Sequence, residues 1–364
     1  MKKRMIFCFA LYFIFASGCI VKQENDTNDT STQPAKEVTN PLGSSVETVA
    51  EKLDVPWAIT KYKDTFYITE RNGTIARISD GNLSRESVHL DKDVLRYGEG
   101  GLLGLALHPD FAANNQAFVY HTYGTKESVK NRLVLLKYEN GAWKEERALL
   151  EDIPGAIYHN GGRIAIGPDN MLYVTVGDAT IPEEAQNTGS LSGSILRMEL
   201  DGSIPKDNPI PDSYVYSFGH RNPQGLAWDR ETGMLYESEH GPSARDEINI
   251  IEPGKNYGWP VISGSEEENG METPLFNSGT NTWAPSGLVY HNGSLFVASL
   301  RGEMIRKFEL ESKKEYALVE GFGRMRDVLV DGDTIYAVTN NTDGRGNPIP
   351  EDDRLIKIPL NRED

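Results

Sequence analysis

The chain has 364 residues, a formal net charge of −17 and two cysteines. So acidic a surface argues against nucleic acid and anionic lipid headgroups as partners. Cys8 and Cys19 both lie near the start, so the remaining chain has no disulfide and depends on an apolar core, which over 300 residues can supply.

Lys2, Lys3 and Arg4 precede an apolar run from Met5 to Phe15, followed by Ala16-Ser17-Gly18-Cys19. A basic start, a short apolar stretch and small residues before a cut site predict a secretory signal over residues 1–18. The apolar run is shorter than the ~20 residues a stable span needs. A cysteine directly after the small residues resembles a bacterial lipobox, with Cys19 as the lipidated first residue; the alternative is an ordinary signal peptide with an incidental cysteine. Either leader implies an extracytoplasmic protein. Under the lipobox reading it is lipid-anchored to the cell membrane and touches the bilayer through the anchor alone. Residues 19–45 are rich in Asn, Asp, Thr and Ser without periodicity, the pattern of a flexible tether.

From residue 46 onward one strand signature recurs. It reads Phe66-Tyr67-Ile68-Thr69, Ala117-Phe118-Val119-Tyr120, Leu172-Tyr173-Val174-Thr175, Leu235-Tyr236-Glu237-Ser238, Leu295-Phe296-Val297-Ala298 and Ile335-Tyr336-Ala337-Val338. After most copies a turn leads to a strand ending in a basic residue and an aliphatic, such as Ile75-Ala76-Arg77-Ile78 and Leu355-Ile356-Lys357-Ile358. Glycine and proline punctuate the chain, and no long amphipathic helix appears. Repeats of this length fit four-stranded blades, so residues 46–364 are expected to form an all-β, six-bladed propeller. A large β-sandwich would not explain similar units. The segment 46–59 is expected to complete the last blade.

Beside these strands lie runs that mix glycine with chemically able side chains: His159-Asn160-Gly161-Gly162-Arg163, Gly219-His220-Arg221-Asn222-Pro223-Gln224-Gly225 and Glu239-His240-Gly241-Pro242. Loops of this kind let backbone approach a ligand closely. With Gly98-Glu99-Gly100-Gly101-Leu102, Gly177-Asp178, Asp246-Glu247-Ile248-Asn249, Asn256-Tyr257-Gly258-Trp259-Pro260, Ala284-Pro285-Ser286-Gly287 and Arg324-Met325-Arg326-Asp327, they resemble the soluble glucose/sorbosone dehydrogenases. These are quinoproteins that oxidise aldose sugars with pyrroloquinoline quinone (PQQ). The resemblance runs from about Leu53 to Ile358, and the family's fold is a six-bladed propeller.

The resemblance carries roles residue by residue. PQQ bears three carboxylates, which the planar guanidinium fork binds well. Arg324 and Arg326 match the carboxylate-binding pair, and their spacing puts both on one face of a strand. Arg221 and Asn222 match residues reaching the quinone and a ring carboxylate, with Arg221 also counted in the catalytic set. Arg301 stands where well-known members carry lysine. Glu99 holds a cofactor position that is glutamine in glucose-adapted members. The backbone carbonyls of Gly241 and Pro242 match the ligands of a Ca2+ ion that polarises the quinone. His159 is the implied general base for the anomeric hydroxyl, and Asp178 the carboxylate orienting it. His220 and His240 are read as loop braces.

Some positions depart from the pattern. Tyr158 replaces an acidic residue found in some members, Trp283 is displaced from a tryptophan position, and the acidic loop 263–267 is read as solvated rather than as a second calcium site. Two other readings compete: a calcium-dependent lactonase, which has no use for four arginines, and a binding propeller that has lost turnover. The expected substrate is an aldose, oxidised to its lactone by a tolerant site. The sequence does not name the sugar or the electron acceptor.

Overall fold

The computed structural model describes residues 46–360. The predicted signal, Cys19 and the tether lie outside them. Strand β1 (Glu47–Ala50) comes first. Then follow antiparallel meanders: β2 (Pro56–Tyr62), β3 (Thr65–Glu70), β4 (Thr74–Ser79) and β5 (Asn82–His89); β6 (Leu102–Leu107), β7 (Gln116–Thr125), β8 (Ser128–Glu139) and β9 (Ala142–Pro154); β10 (Ile164–Ile166), β11 (Leu172–Val176), β12 (Ser194–Met198) and β13 (Val215–Phe218). The pattern continues with β14 (Pro223–Trp228), β15 (Leu235–Glu239), β16 (Glu247–Ile251) and β17 (Phe276–Asn277), then β18 (Pro285–His291), β19 (Ser294–Ser299), β20 (Met304–Glu309) and β21 (Lys314–Glu320). Last come β22 (Met325–Asp331), β23 (Thr334–Thr339) and β24 (Leu355–Pro359). Helix among the described residues amounts to one turn at Phe111–Asn114 and a short 3-10 stretch at Pro182–Gln186.

Local chemistry sets the hairpins. Asp80-Gly81, Asn140-Gly141 and Asn292-Gly293 each fill a two-residue loop with both residues at positive φ, the turn that matches strand twist. Every copy of the aromatic signature is the second strand of its meander, and the basic-ending copies are third strands. Inner strands are the most enclosed: the second strands β11, β15 and β19 and the third strand β12 are buried throughout, whereas the outer strand β5 is largely exposed.

Two seams join the meanders. A parallel contact, Val88 with Trp143 and His89 with Lys144, fuses the first two meanders into one eight-stranded sheet. At the other seam β1 pairs with β24. The expectation for residues 46–59 is therefore met in part: Glu47–Ala50 completes the last sheet, but Pro56 onward opens the first. The first strands touch in order, β2 to β6, β10, β14, β18, β22 and back to β2, a closed propeller-like ring.

A buried ion pair ties this ring together. Arg163, just before β10, donates to Asp327 of β22 at 2.7 Å and to the Gln224 carbonyl of β14 at 2.9 Å. The same Asp327 oxygen accepts the Ile59 N–H of β2 at 2.9 Å. A Cβ at Gly287 of β18 would fall 1.6 Å from the other carboxylate oxygen, so only glycine fits there.

Strands β2, β6, β14, β18 and β22 each slip register near their starts against the second strand. Such bulges re-aim side chains. In an antiparallel pair the start of a first strand lies beside the end of the second. The loops entering first strands and leaving second strands therefore gather at one end of the ring.

Candidate active site

His159 sits in the loop before β10 with φ +60°, a backbone shape uncommon for a side-chain-bearing residue. Its N–H donates to Glu99 Oε2 at 3.1 Å. Its carbonyl faces Gly177, where a Cβ would come within 2.1 Å. His159 Nδ1 lies 2.7 Å from Asp178 Oδ1. Fully buried Asp178 also accepts the Thr180 N–H at 2.8 Å and Trp259 Nε1–H at 2.8 Å. A carboxylate so surrounded accepts, which places a proton on Nδ1; in the neutral ring Nε2 then carries the lone pair. The His159 side chain is 18 % exposed.

Next to this pair a cavity is lined by Trp57, Leu103 and Leu300 on its apolar side and by Arg71, Arg326, His240, Glu99 and Arg345 on its polar side. Arg326, at the bulged start of β22, is buried and reaches only neutral acceptors: Asn340 Oδ1 at 3.1 Å, Gln224 Oε1 at 3.3 Å and Ser286 Oγ at 3.3 Å. Burial presses its guanidinium down to about 9. Arg71 contacts the Gly98 and Gly100 carbonyls, and burial lowers it to about 10. Arg324 is ion-paired to Asp343 at 2.9 Å. Buried nitrogens of Arg221 (Nε), His240 (Nε2) and Arg324 (Nε) have no partner. Buried cations lacking carboxylates, ringed by unsatisfied nitrogens, fit a polyanionic ligand.

The other expected residues fall unevenly around this cradle. Asn222 is buried and accepts the Gly161 N–H at 3.2 Å, and so supports the loop carrying His159. Arg221 lies over the Trp259 ring, 5.3 Å from its centroid, and donates to the Gly241 carbonyl at 2.8 Å. That hydrogen bond takes one of the two lone pairs of the carbonyl expected to bind the cation. Arg301 is exposed on the turn after β19 and pairs with no carboxylate among the described residues. Glu99 holds Arg345 at 2.9 Å. Burial alone would raise its carboxyl, but His240, Arg345 and the His159 N–H hold it at about 2. His220 is a brace as expected: it stacks on Tyr257 and bonds Ser217 and Glu239. His240 is not, because it lines the cavity with a free Nε2. Trp283 is buried against Phe308 and unavailable to a sugar. In the acidic loop, Glu266 pairs with Arg245 at 2.7 Å.

Arg71, Arg345, Asp343, Gln224 and Trp259 had no role in the sequence reading. A signal for Arg71 was present. It directly follows β3, as His240 follows β15, so aligning the ends of the second strands would have exposed it.

Behind the cavity, Glu237 and Glu239 of β15 oppose Asn249 and Glu247 of β16. Asn249 Nδ2 reaches both Glu237 at 3.1 Å and Glu239 at 3.3 Å. No arginine or lysine side chain among the described residues pairs with any of the three glutamates, although Glu239 accepts the Arg221 N–H at 2.6 Å; burial and then the Glu239 charge push Glu237 well up, and Glu247 to about 8. His220, Glu237 and Glu239 converge closely enough to hold a metal ion, though the Asn249 amide already bridges the two carboxylates.

A family model described as glucose/sorbosone dehydrogenase matches residues 53–355. The chain belongs to the glucose/sorbosone dehydrogenase family. Within this family it is 33 % identical over 267 residues to quinoprotein glucose dehydrogenase B of Acinetobacter calcoaceticus, covering 64 % of this chain and 56 % of that one. It is 29 % identical to aldose sugar dehydrogenase YliI of Escherichia coli, covering 84 % and 92 %. The PQQ-bound structure of aldose sugar dehydrogenase from Streptomyces coelicolor superposes with a TM-score of 0.81 at 38 % identity, covering 88 % of this chain and 99 % of that one. The family membership agrees with a site that sets the His159–Asp178 pair beside a cationic cavity.

Proposed function

We propose that this chain is a PQQ-dependent aldose dehydrogenase built on a six-bladed propeller, oxidising the sugar at its anomeric carbon to the lactone. The observation that carries the reading is the juxtaposition of His159–Asp178 with a cavity whose buried Arg326 and Arg71 bond no carboxylate. When bound, PQQ supplies the hydride acceptor, and a Ca2+ ion on the Gly241 and Pro242 carbonyls supplies the Lewis acid.

The chain's own residues do the rest. His159 Nε2 takes the anomeric hydroxyl proton as hydride leaves the same carbon, and Asp178 steadies the imidazolium that forms. Arg326 and Arg71, with Arg324 through its unpartnered Nε, would hold the carboxylates of the cofactor, and Trp57, Leu103 and Leu300 would supply its apolar surroundings. Arg221, which bonds the Gly241 carbonyl and lies over Trp259, would adjoin the cation and add its charge to the cofactor side of the site. Glu99 fixes the His159 backbone and would face the entering sugar, and Arg301 would have to turn in from its exposed place after β19 to meet the cofactor.

Purified protein loaded with PQQ and Ca2+ should reduce a redox dye when an aldose is added, and should lose that activity in chelator. Loaded protein that reduces no dye across a panel of aldoses overturns the reading. On the strength of the leader pattern we place the enzyme outside the cytoplasm on a lipid at Cys19. Cys19→Ser should then shift it from the membrane to the soluble fraction.

A further inference from the structure

Residues 340–354, between β23 and β24, reach from the last meander to the mouth of the cavity. Arg345 in this segment donates to Glu99 Oε1 at 2.9 Å, while the other Glu99 oxygen accepts the His159 N–H. The same guanidinium lies 5.6 Å from the Tyr158 ring centroid, and Tyr158 directly precedes His159. Three segments distant in sequence thus meet at one cation beside the base. Their geometry is held locally: the Arg345 N–H bonds Asp343 Oδ1 at 2.8 Å, and a Cβ at Gly346 would sit 2.6 Å from the Asn341 carbonyl. Arg345 and Tyr158 nevertheless stay open, with the arginine side chain 46 % and the tyrosine 43 % exposed. Only one Arg345 nitrogen, Nη1, has a side-chain partner among the described residues, leaving the Nε–Nη2 edge for another acceptor.

Arg326 and Arg71 are buried deeper in the cavity and contact the floor of the site, whereas Arg345 stands at its opening. A sugar whose anomeric carbon reaches His159 has its far end in the opening. Resting on the dehydrogenase reading above, we propose that Arg345 is a specificity-determining residue of the sugar site. Its free edge donates to hydroxyls remote from the reacting carbon, and the Tyr158 ring covers the apolar face of the sugar. Arginine suits this place because its planar fork offers two parallel donors and its other edge stays committed to Glu99.

The test is Arg345→Met, with Arg345→Lys beside it, in the full protein loaded with PQQ and Ca2+. Losing a charged hydrogen bond to substrate should raise KM for hexoses about tenfold or more, with kcat held within about threefold. Lysine should recover part of the KM. PQQ affinity, read by quenching of tryptophan fluorescence, should not move. An unchanged KM, a fall in kcat at constant KM, or weakened PQQ binding would each overturn the proposal. Saturation-transfer NMR of hexose on the loaded protein reads contact without turnover. Wild type that binds hexose but turns nothing over sinks the dehydrogenase reading alone; hexose affinity, titrated by the same signal, that is as tight in Arg345→Met as in wild type sinks this one.

Discussion

Asp178 accepts three hydrogen bonds and donates none, and this sets the chemistry of His159. An asparagine there can turn its NH2 toward Nδ1 and favour the wrong tautomer. Asp178→Asn should therefore cut kcat by about 10²–10⁴-fold, the range of a general base's contribution, with PQQ affinity little altered. His159→Ala should behave alike, while Arg326→Ala should weaken PQQ binding by roughly 1.5–3 kcal/mol as a charged hydrogen bond is lost. Parallel titrations of PQQ affinity and kcat separate the two classes, and a common defect in both would show that the roles are not divided this way. The His159–Asp178 pair was legible because each residue lies in a recognisable run. Arg345 was not, since nothing local in Thr342-Asp343-Gly344-Arg345-Gly346 says that it reaches residues 99 and 158.

At the scale of the element, β15 and β16 face three glutamates toward one another in a buried layer. Alternation predicts that Glu237 and Glu239 share a face, but not that Glu247 lies opposite Glu239, because pairing register depends on the turn between the strands. Glu237 and Glu247 have folded-state values raised above those of the unfolded chain. Their protonated forms favour the fold below the ordinary glutamate range, and that contribution is lost as pH rises toward about 8, the Glu247 value. Apo protein in chelator should accordingly melt at lower temperature at pH 8 than at pH 5. Glu237→Gln removes one of the titrating groups while keeping its shape, so it should flatten this slope and raise Tm at pH 8. A variant whose Tm profile runs parallel to wild type would show that Glu237 is not the group responsible.

Across the whole molecule, the Arg163–Asp327 pair joins first strands that no sheet hydrogen bond connects. Asp327→Ala would leave a buried guanidinium uncompensated, at a cost of about 3–5 kcal/mol. Denaturant unfolding would register this as a lower midpoint, and a loss below about 1 kcal/mol would mean the ring does not depend on the pair. The architecture was legible because the aromatic signature marks second strands, the positions enclosed on both faces. Strand β1 was placed correctly but over-extended, since Pro56–Ile59 carries the same apolar character in a different sheet. The β5–β9 contact was hidden because its register spans only two residue pairs.

The closure between β1 and β24 also sets an order of events in synthesis. Glu47 pairs with Lys357, so the earliest strand of the ring finds its partner only when nearly the whole chain has emerged. Until then β1 has no neighbour, and β23 shows an open edge on the side later filled by β24. Such edges recruit other chains. Joining ends this far apart comes at the price of a large loss of chain freedom. A ribosome stalled before Leu355 would thus release an adhesive, unclosed product rather than a slightly shortened enzyme.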